Sequence, residues 1–211
     1  MTFSIVARDS ATGMIGVATA TAGPAVGALV PHAKAGVAAV ATQAMTNPYL
    51  AVDLIEHLGE QDVQRALEQA LAVDSERERR QIIAVDNRGR TALWTGSLCQ
   101  GYAGHAAGDG VAVAGNILAG GGVLLAMLER FEQTGTLAER LLAALVAGEI
   151  AGGDSRGTSS AALKVYHHEA YAAVDLRVDW SENPLNNLSS LLERTTNGGY
   201  AEFLASVPRR G

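Results

Sequence analysis

Residues 2–21 read TFSIVARDSATGMIGVATAT. FSIVARD and MIGVATAT are two apolar, β-prone runs, and SATG between them supplies the Gly-containing turn of a hairpin. Both runs are apolar at nearly every position, so the hairpin must be covered on both faces. Its head raises a chemical question. Thr2 follows Met1, and a small second residue favours removal of the initiator methionine. Removal leaves an α-amine and a hydroxyl on one residue, a nucleophile that carries its own base. The bland alternative is a β-branched residue that merely starts a strand.

Outward from the hairpin, TAGPAVGALVPHAKA (21–35) reads as a loop and GVAAVATQAM (36–45) as a third apolar strand. Asn47-Pro48 has the form of a helix start, followed by Leu50, Leu54, Ile55 and Leu58 at helical spacing. Val63, Ala66, Leu67, Ala70 and Leu71 repeat the pattern behind Asp62. QIIAVDNRGRTALWTG (81–96) is a hairpin turning at Asp86-Asn87-Arg88-Gly89, and GVAVAGNIL (110–118) is a further strand. A second helical pair covers 122–147, a hairpin covers 160–178, and a last helix follows Pro184. Hairpins predict antiparallel sheets, and strands apolar on both faces predict two sheets stacked with helices outside. The expected fold is α+β, a four-layer αββα sandwich of two mainly antiparallel sheets, formed by one domain over residues 1–211.

Composition narrows the partners. The net charge of −6 and the isoelectric point near 5.3 disfavour nucleic acid and anionic membranes. The basic run at 76–80, ERERR, is interleaved with acids and reads as a solvated segment. Cys99 stands alone, which fits a reducing compartment and a buried small hydrophobe. No apolar stretch approaches 18 residues and the start lacks a basic leader, so a cytoplasmic protein is expected. GGDSRG (152–157) is neither GxGxxG nor a GK[ST] loop, and His167-His168 alternate across a strand, so neither a cofactor nor a metal is expected.

TFSIVARDSATGMIGVA, AGVAAVATQA, VAGNILAG and GGDSRGTSSAAL, in that order, resemble the bacterial family catalogued as domain of unknown function 1028. The resemblance covers roughly residues 2–180. It implies the Ntn-hydrolase superfamily, whose fold is an αββα sandwich and whose nucleophile is an N-terminal Thr, Ser or Cys. In the proteasome-like branch that Thr is paired with a Lys about 32 positions on, and Lys34 lies 32 residues after Thr2. That branch also has an Asp at the end of its second strand. GVATAT (16–21) has no carboxylate there, and Asp9 belongs to the preceding turn.

The candidate catalytic residues are therefore Thr2, Lys34 and Asn116. A neighbouring Lys34 would lower the α-amine pKa by like-charge repulsion. Asn116, between Gly115 and the glycines at 120–122, either donates to a developing oxyanion or stabilises a turn. Candidate substrate-binding residues are Thr42, Gln43, His105, Asp154 and Arg156. Thr42 and Gln43 end an apolar strand, where they face a cleft or serve strand-end hydrogen bonding. Gly104-His105 sits in a Gly/Ala loop. Arg156, beside Asp154 on a glycine-rich corner, can grip a carboxylate bidentately or brace the loop. The functional expectation is an amidohydrolase for a small-molecule amide with Thr2 as nucleophile. The alternative is a catalytically silent small-molecule-binding protein of the same fold, and a structural assembly role is a weaker third. A homodimer is expected, since two-fold dimers are the commonest closed assembly.

Overall fold

Thr2–Arg8 (β1) and Ile15–Thr21 (β2) pair antiparallel, from Phe3 opposite Ala20 to Arg8 opposite Ile15. The computed structural model describes residues 2–59 and 61–210, so Met1, on which the trimming expectation falls, lies outside the described residues. Side chains alternate along β1: Phe3, Ile5 and Ala7 face one layer, and Val6 faces another. The first layer lies under helices and the second between two sheets.

The remaining elements in chain order are Pro31–Lys34 (β3), Ala38–Ala44 (β4), Pro48–His57 (α1), Val63–Ala72 (α2), Arg80–Asp86 (β5) and Thr91–Thr95 (β6). Then follow Tyr102–Gly108 (β7), Val111–Leu118 (β8), Gly122–Phe131 (α3), Leu137–Ile150 (α4), Ser160–Tyr166 (β9), Val174–Val178 (β10), Pro184–Thr196 (α5) and Gly198–Ser206 (α6). One sheet has the order β10-β9-β2-β1-β8-β7 and the other β3-β4-β5-β6, and the strand pairs are antiparallel.

Helices α3, α4 and α5 pack their apolar stripes on the six-stranded sheet, and α1 and α2 cover the four-stranded one. The α4 stripe of Leu137, Leu141 and Leu145 is at most 1% exposed. At roughly 1.5–3 kcal/mol per buried Leu, that stripe is a main contribution to docking the helix on its sheet. The expected αββα sandwich is what the chain forms.

Helix starts follow their sequence signals. Asn47 Oδ1 accepts from Tyr49 N at the head of α1, and Asp62 Oδ1 accepts from Gln64 N at the head of α2. Three elements depart from expectation. The stretch 21–35 contains β3, a four-residue edge strand opened by Pro31, where a missing N–H is tolerated. The expected loop around His105 is β7, an edge strand whose Gly and Ala residues carry little strand preference. The chain also adds α6, which buries no residue and so shows no apolar stripe.

Candidate active site

Between the sheets the core is not uniform. Along β1 the inward stripe runs Val6, Ser4, Thr2, and along β2 it runs Val17, Thr19, Thr21. Ala39, Ala41 and Gln43 follow the same course on β4, Val85, Ile83 and Gln81 on β5, and Ala112, Ala114 and Asn116 on β8. Each strand turns from apolar to polar at the same end. Thr2, Ser4, Thr19, Thr21, Gln43, Gln81 and Asn116 are all buried there. Burial of so many polar groups is tolerable only with partners, and the partners are present.

Gln81 is the hub. Its Nε2 lies 3.0 Å from Gly104 O and 2.9 Å from Gly115 O, two carbonyls that can only accept. These carbonyls lie where the β7–β8 register shifts between Tyr102 and Gly104. That fixes the Gln81 amide, whose Oε1 accepts from Gln43 Nε2 at 2.8 Å and Asn116 Nδ2 at 3.0 Å. Gln43 Nε2 also reaches Thr2 O at 3.3 Å, and its Oε1 accepts the Ser4 hydroxyl proton at 2.6 Å. The Ser4 and Thr19 hydroxyls are 2.8 Å apart, so Thr19 is left as the donor of that pair. Beyond Gln81, Thr95 Oγ1 lies 2.9 Å from Gln81 Nε2 and 2.9 Å from His105 Nδ1. Burial lowers the His105 pKa, which keeps the imidazole neutral near pH 7.

Thr2 heads β1 opposite Asn116 on β8, with its Oγ1 3.3 Å from Thr21 Oγ1. Asn116 commits one N–H to Gln81. Its second N–H and its Oδ1 have no protein partner among the described residues, and Asn116 lines a cavity of about 200 Å³. Arg79, Arg156, Cys99, Met45 and Ile117 line the same cavity. Two lining residues, Ala44 (φ 68°) and Ile117 (φ 49°), hold left-handed backbone. For a β-branched residue such as Ile117 that conformation costs about 1–3 kcal/mol, and strain of this kind collects at functional sites. Cys99 is no rival nucleophile: burial pushes its thiol pKa up, and Sγ points to Arg80 O at 3.4 Å.

The cavity rim is braced from below. Arg80 grips Asp74 (Nε to Oδ2 2.9 Å, Nη2 to Oδ1 3.4 Å) and donates through Nη1 to Met45 O at 2.6 Å, while Asn47 Nδ2 donates to Asp74 Oδ2 at 2.9 Å. The Arg80 guanidinium holds the Asp74 carboxyl at about 2, below the ordinary 3.8. A depressed carboxylate stabilises the fold above its unfolded pKa and loses that contribution as pH falls through the folded one. Asp74→Asn is therefore expected to cost on the order of 1–2 kcal/mol at pH 7. The difference from wild type should shrink as pH falls below about 5 and close near about pH 1, below the folded pKa, as urea unfolding at both ends would report. A difference that persists undiminished near about pH 1 would remove the ion pair as its cause.

Not every candidate reaches this end. Lys34 is exposed at the far end of β3, opposite Ala38, whereas the cleft lies at the Gln43 end of β4. Five residues of strand separate Ala38 from Gln43, roughly 16 Å, so Lys34 has no contact with Thr2. Thr42 is fully buried but points away from Gln43, and its hydroxyl donates to Asn47 O at 3.1 Å at the start of α1. It supports the helix, not the cleft. His105 joins the polar cluster through Thr95. Asp154 bridges Leu118, and its Oδ2 accepts from Ala22 N at 3.0 Å while its Oδ1 accepts from Arg156 N at 2.8 Å. It shapes the loop that carries Arg156 to the cavity. Sequence reasoning missed Ser4, Gln81, Thr95 and Arg79.

Two antiparallel sheets stacked face to face with helices outside make the fold an αββα sandwich, with a buried polar cluster at one end of its inter-sheet layer. The chain belongs to the family of unknown function DUF1028, whose model matches residues 2–188. A crystal structure of a DUF1028 protein from Silicibacter pomeroyi is similar over 98% of this chain and 91% of that one, at 36% identity and a TM-score of 0.92. Two structures of Anbu, an ancestral β-subunit, are more distant. The one from Yersinia bercovieri has 10% identity over 99% of both chains and a TM-score of 0.42. That from Hyphomicrobium sp. strain MC1, a Gly-1 mutant, has 11% identity over 99% of this chain and 100% of that one, also with a TM-score of 0.42. A search of curated proteins found no match.

Proposed function

We propose that the chain is an N-terminal-nucleophile amidohydrolase that cleaves an amide bond of a small molecule, with Thr2 as the nucleophile. The observation that carries this reading is the position of Thr2 at the head of β1, opposite an Asn116 that retains unpartnered amide atoms beside a cavity. With the α-amine of Thr2 free, the amine takes the hydroxyl proton as Oγ1 attacks the substrate carbonyl. The second Asn116 N–H receives the developing oxyanion. Collapse expels the amine product, which leaves with the proton from the α-ammonium. Water, deprotonated by the same amine, then cleaves the Thr2 ester and releases the acid. No cofactor enters this sequence, and Lys34 has no part in it.

The alternative, a silent binding protein, is favoured by one observation: Thr2 is 6% exposed with its hydroxyl and carbonyl both hydrogen-bonded. Initial rates on a panel of small amides separate the two. Hydrolysis by the wild type that disappears in Thr2→Ala supports the enzyme; ligand binding without turnover in either protein supports the silent form.

We propose further that the protein is a cytoplasmic two-fold dimer: the free thiol of Cys99 is in keeping with a reducing compartment, and two-fold dimers are the commonest closed assembly. Among the described residues no helix is long and apolar enough to cross a membrane. Light scattering at micromolar concentration should return twice the chain mass of 21.8 kDa. A mass of one chain would remove the dimer.

A further inference from the structure

The cavity beside Asn116 has a charge character at odds with the chain as a whole. The protein carries a net −6, yet Arg79 and Arg156 line this cavity and, among the described residues, no acidic one does. The two arginines arrive from separate segments, Arg79 from the turn before β5 and Arg156 from the glycine-rich loop after α4. Arg79 bonds Glu76 at 3.0 Å, and Arg156 holds Asp154 only at 3.4–3.5 Å through its guanidinium. Both side chains are about half exposed, so each can turn toward an incoming anion.

Asn116 supplies the second half of the recognition. It is 2% exposed, its orientation is fixed through Gln81, and it keeps one N–H and one carbonyl oxygen unpartnered. A donor beside an acceptor on one planar group is the complement of another amide. The strained backbone of Ala44 and Ile117 flanks the same space. At about 200 Å³ the cavity is smaller than the usual 300–1,000 Å³ of drug-sized sites, which suits a ligand of amino-acid size.

We infer that the substrate class is a small carboxylate bearing an amide or ureido group, such as an N-acyl or N-carbamoyl amino acid. Its carboxylate is held by Arg156 and Arg79, and its amide by Asn116. This inference rests on the amidohydrolase reading for the fate of the ligand, but not for its binding.

The test therefore uses the full chain carrying Thr2→Ala, which binds without turnover. N-acetylglycine, N-acetylalanine and N-carbamoylglycine are titrated calorimetrically, each against its uncharged primary amide. The expected result is binding of at least one carboxylate about tenfold tighter than its amide, weakened by salt and lost in both Arg156→Gln and Arg79→Gln. Thermal melts confirm that these surface variants remain folded. Equal affinity for acid and amide, binding indifferent to both substitutions, or no binding of any probe overturns the inference. The hydrolase reading fails separately: carboxylate binding without turnover in the wild type sinks it and leaves the anion site standing. Hydrolysis of neutral amides, unaffected by Arg156→Gln, does the reverse.

Discussion

Protein that retains Met1 is expected to hydrolyse its substrate roughly 10²–10⁴-fold more slowly than protein beginning at Thr2, the usual worth of a positioned general base. The reason is local. Before trimming, the Thr2 nitrogen is a peptide amide and cannot take a proton from its own hydroxyl. After trimming it is an amine of pKa about 7.7–8.0, partly neutral at physiological pH. The rate of the trimmed form should rise with pH through that range and level off above it. Lys34→Ala should leave both rate and profile unchanged, because Lys34 sits at the opposite end of the four-stranded sheet. Thr2→Ser should keep activity and Thr2→Ala lose it. Equal rates with and without Met1 would show that the α-amine is not the base.

Gln81→Leu should destabilise the fold by about 3–5 kcal/mol, a large share of the 5–15 kcal/mol typical of a domain. Leucine has a similar volume, so the loss comes from hydrogen bonding and not from a void. It removes the donor shared by Gly104 O and Gly115 O, and the acceptor shared by Gln43 and Asn116. Each group left unpaired in the interior costs about 1–3 kcal/mol, and partial relaxation keeps the total below the sum. Gln81→Glu should be comparably harmful, since it turns a carboxylate oxygen toward two carbonyls. Asn116 also loses its anchor, so activity in the surviving folded fraction should fall. Urea unfolding that shows a loss under about 1 kcal/mol would contradict the hub.

Much of the fold is written in apolar periodicity. The hairpins at 2–21, 81–96 and 160–178 and the two helical pairs follow directly from spacing and capping residues such as Asn47 and Asp62. What escaped were elements whose residues carry little signal alone: the four-residue β3, the Gly/Ala-rich β7, and α6 with no buried stripe. Edge position explains the first two, since each is held by a single neighbour.

The candidate site was readable in part. Period-two alternation applied to every inward stripe ends each one in a polar residue at one end of the sandwich, which groups Gln81 and Ser4 with Thr2, Gln43 and Asn116. The same alternation sends Thr42 to the opposite face of β4 from Gln43, where it supports α1. Lys34 misled because a spacing of 32 residues counts chain length and not direction, and β3 runs away from the cleft. Arg79 had no signal at all: its approach depends on how the turn before β5 meets the loop after α4.

The most direct test of Thr2 as nucleophile is to trap its ester. Trimmed protein is incubated with a slowly deacylating activated ester or amide of an N-acyl amino acid, quenched in acid and mapped by peptide mass spectrometry. An acyl group on the N-terminal peptide, located to Thr2 and absent from Thr2→Ala, is the predicted result. Turnover with no adduct there, or an adduct on another residue that persists in Thr2→Ala, would contradict it.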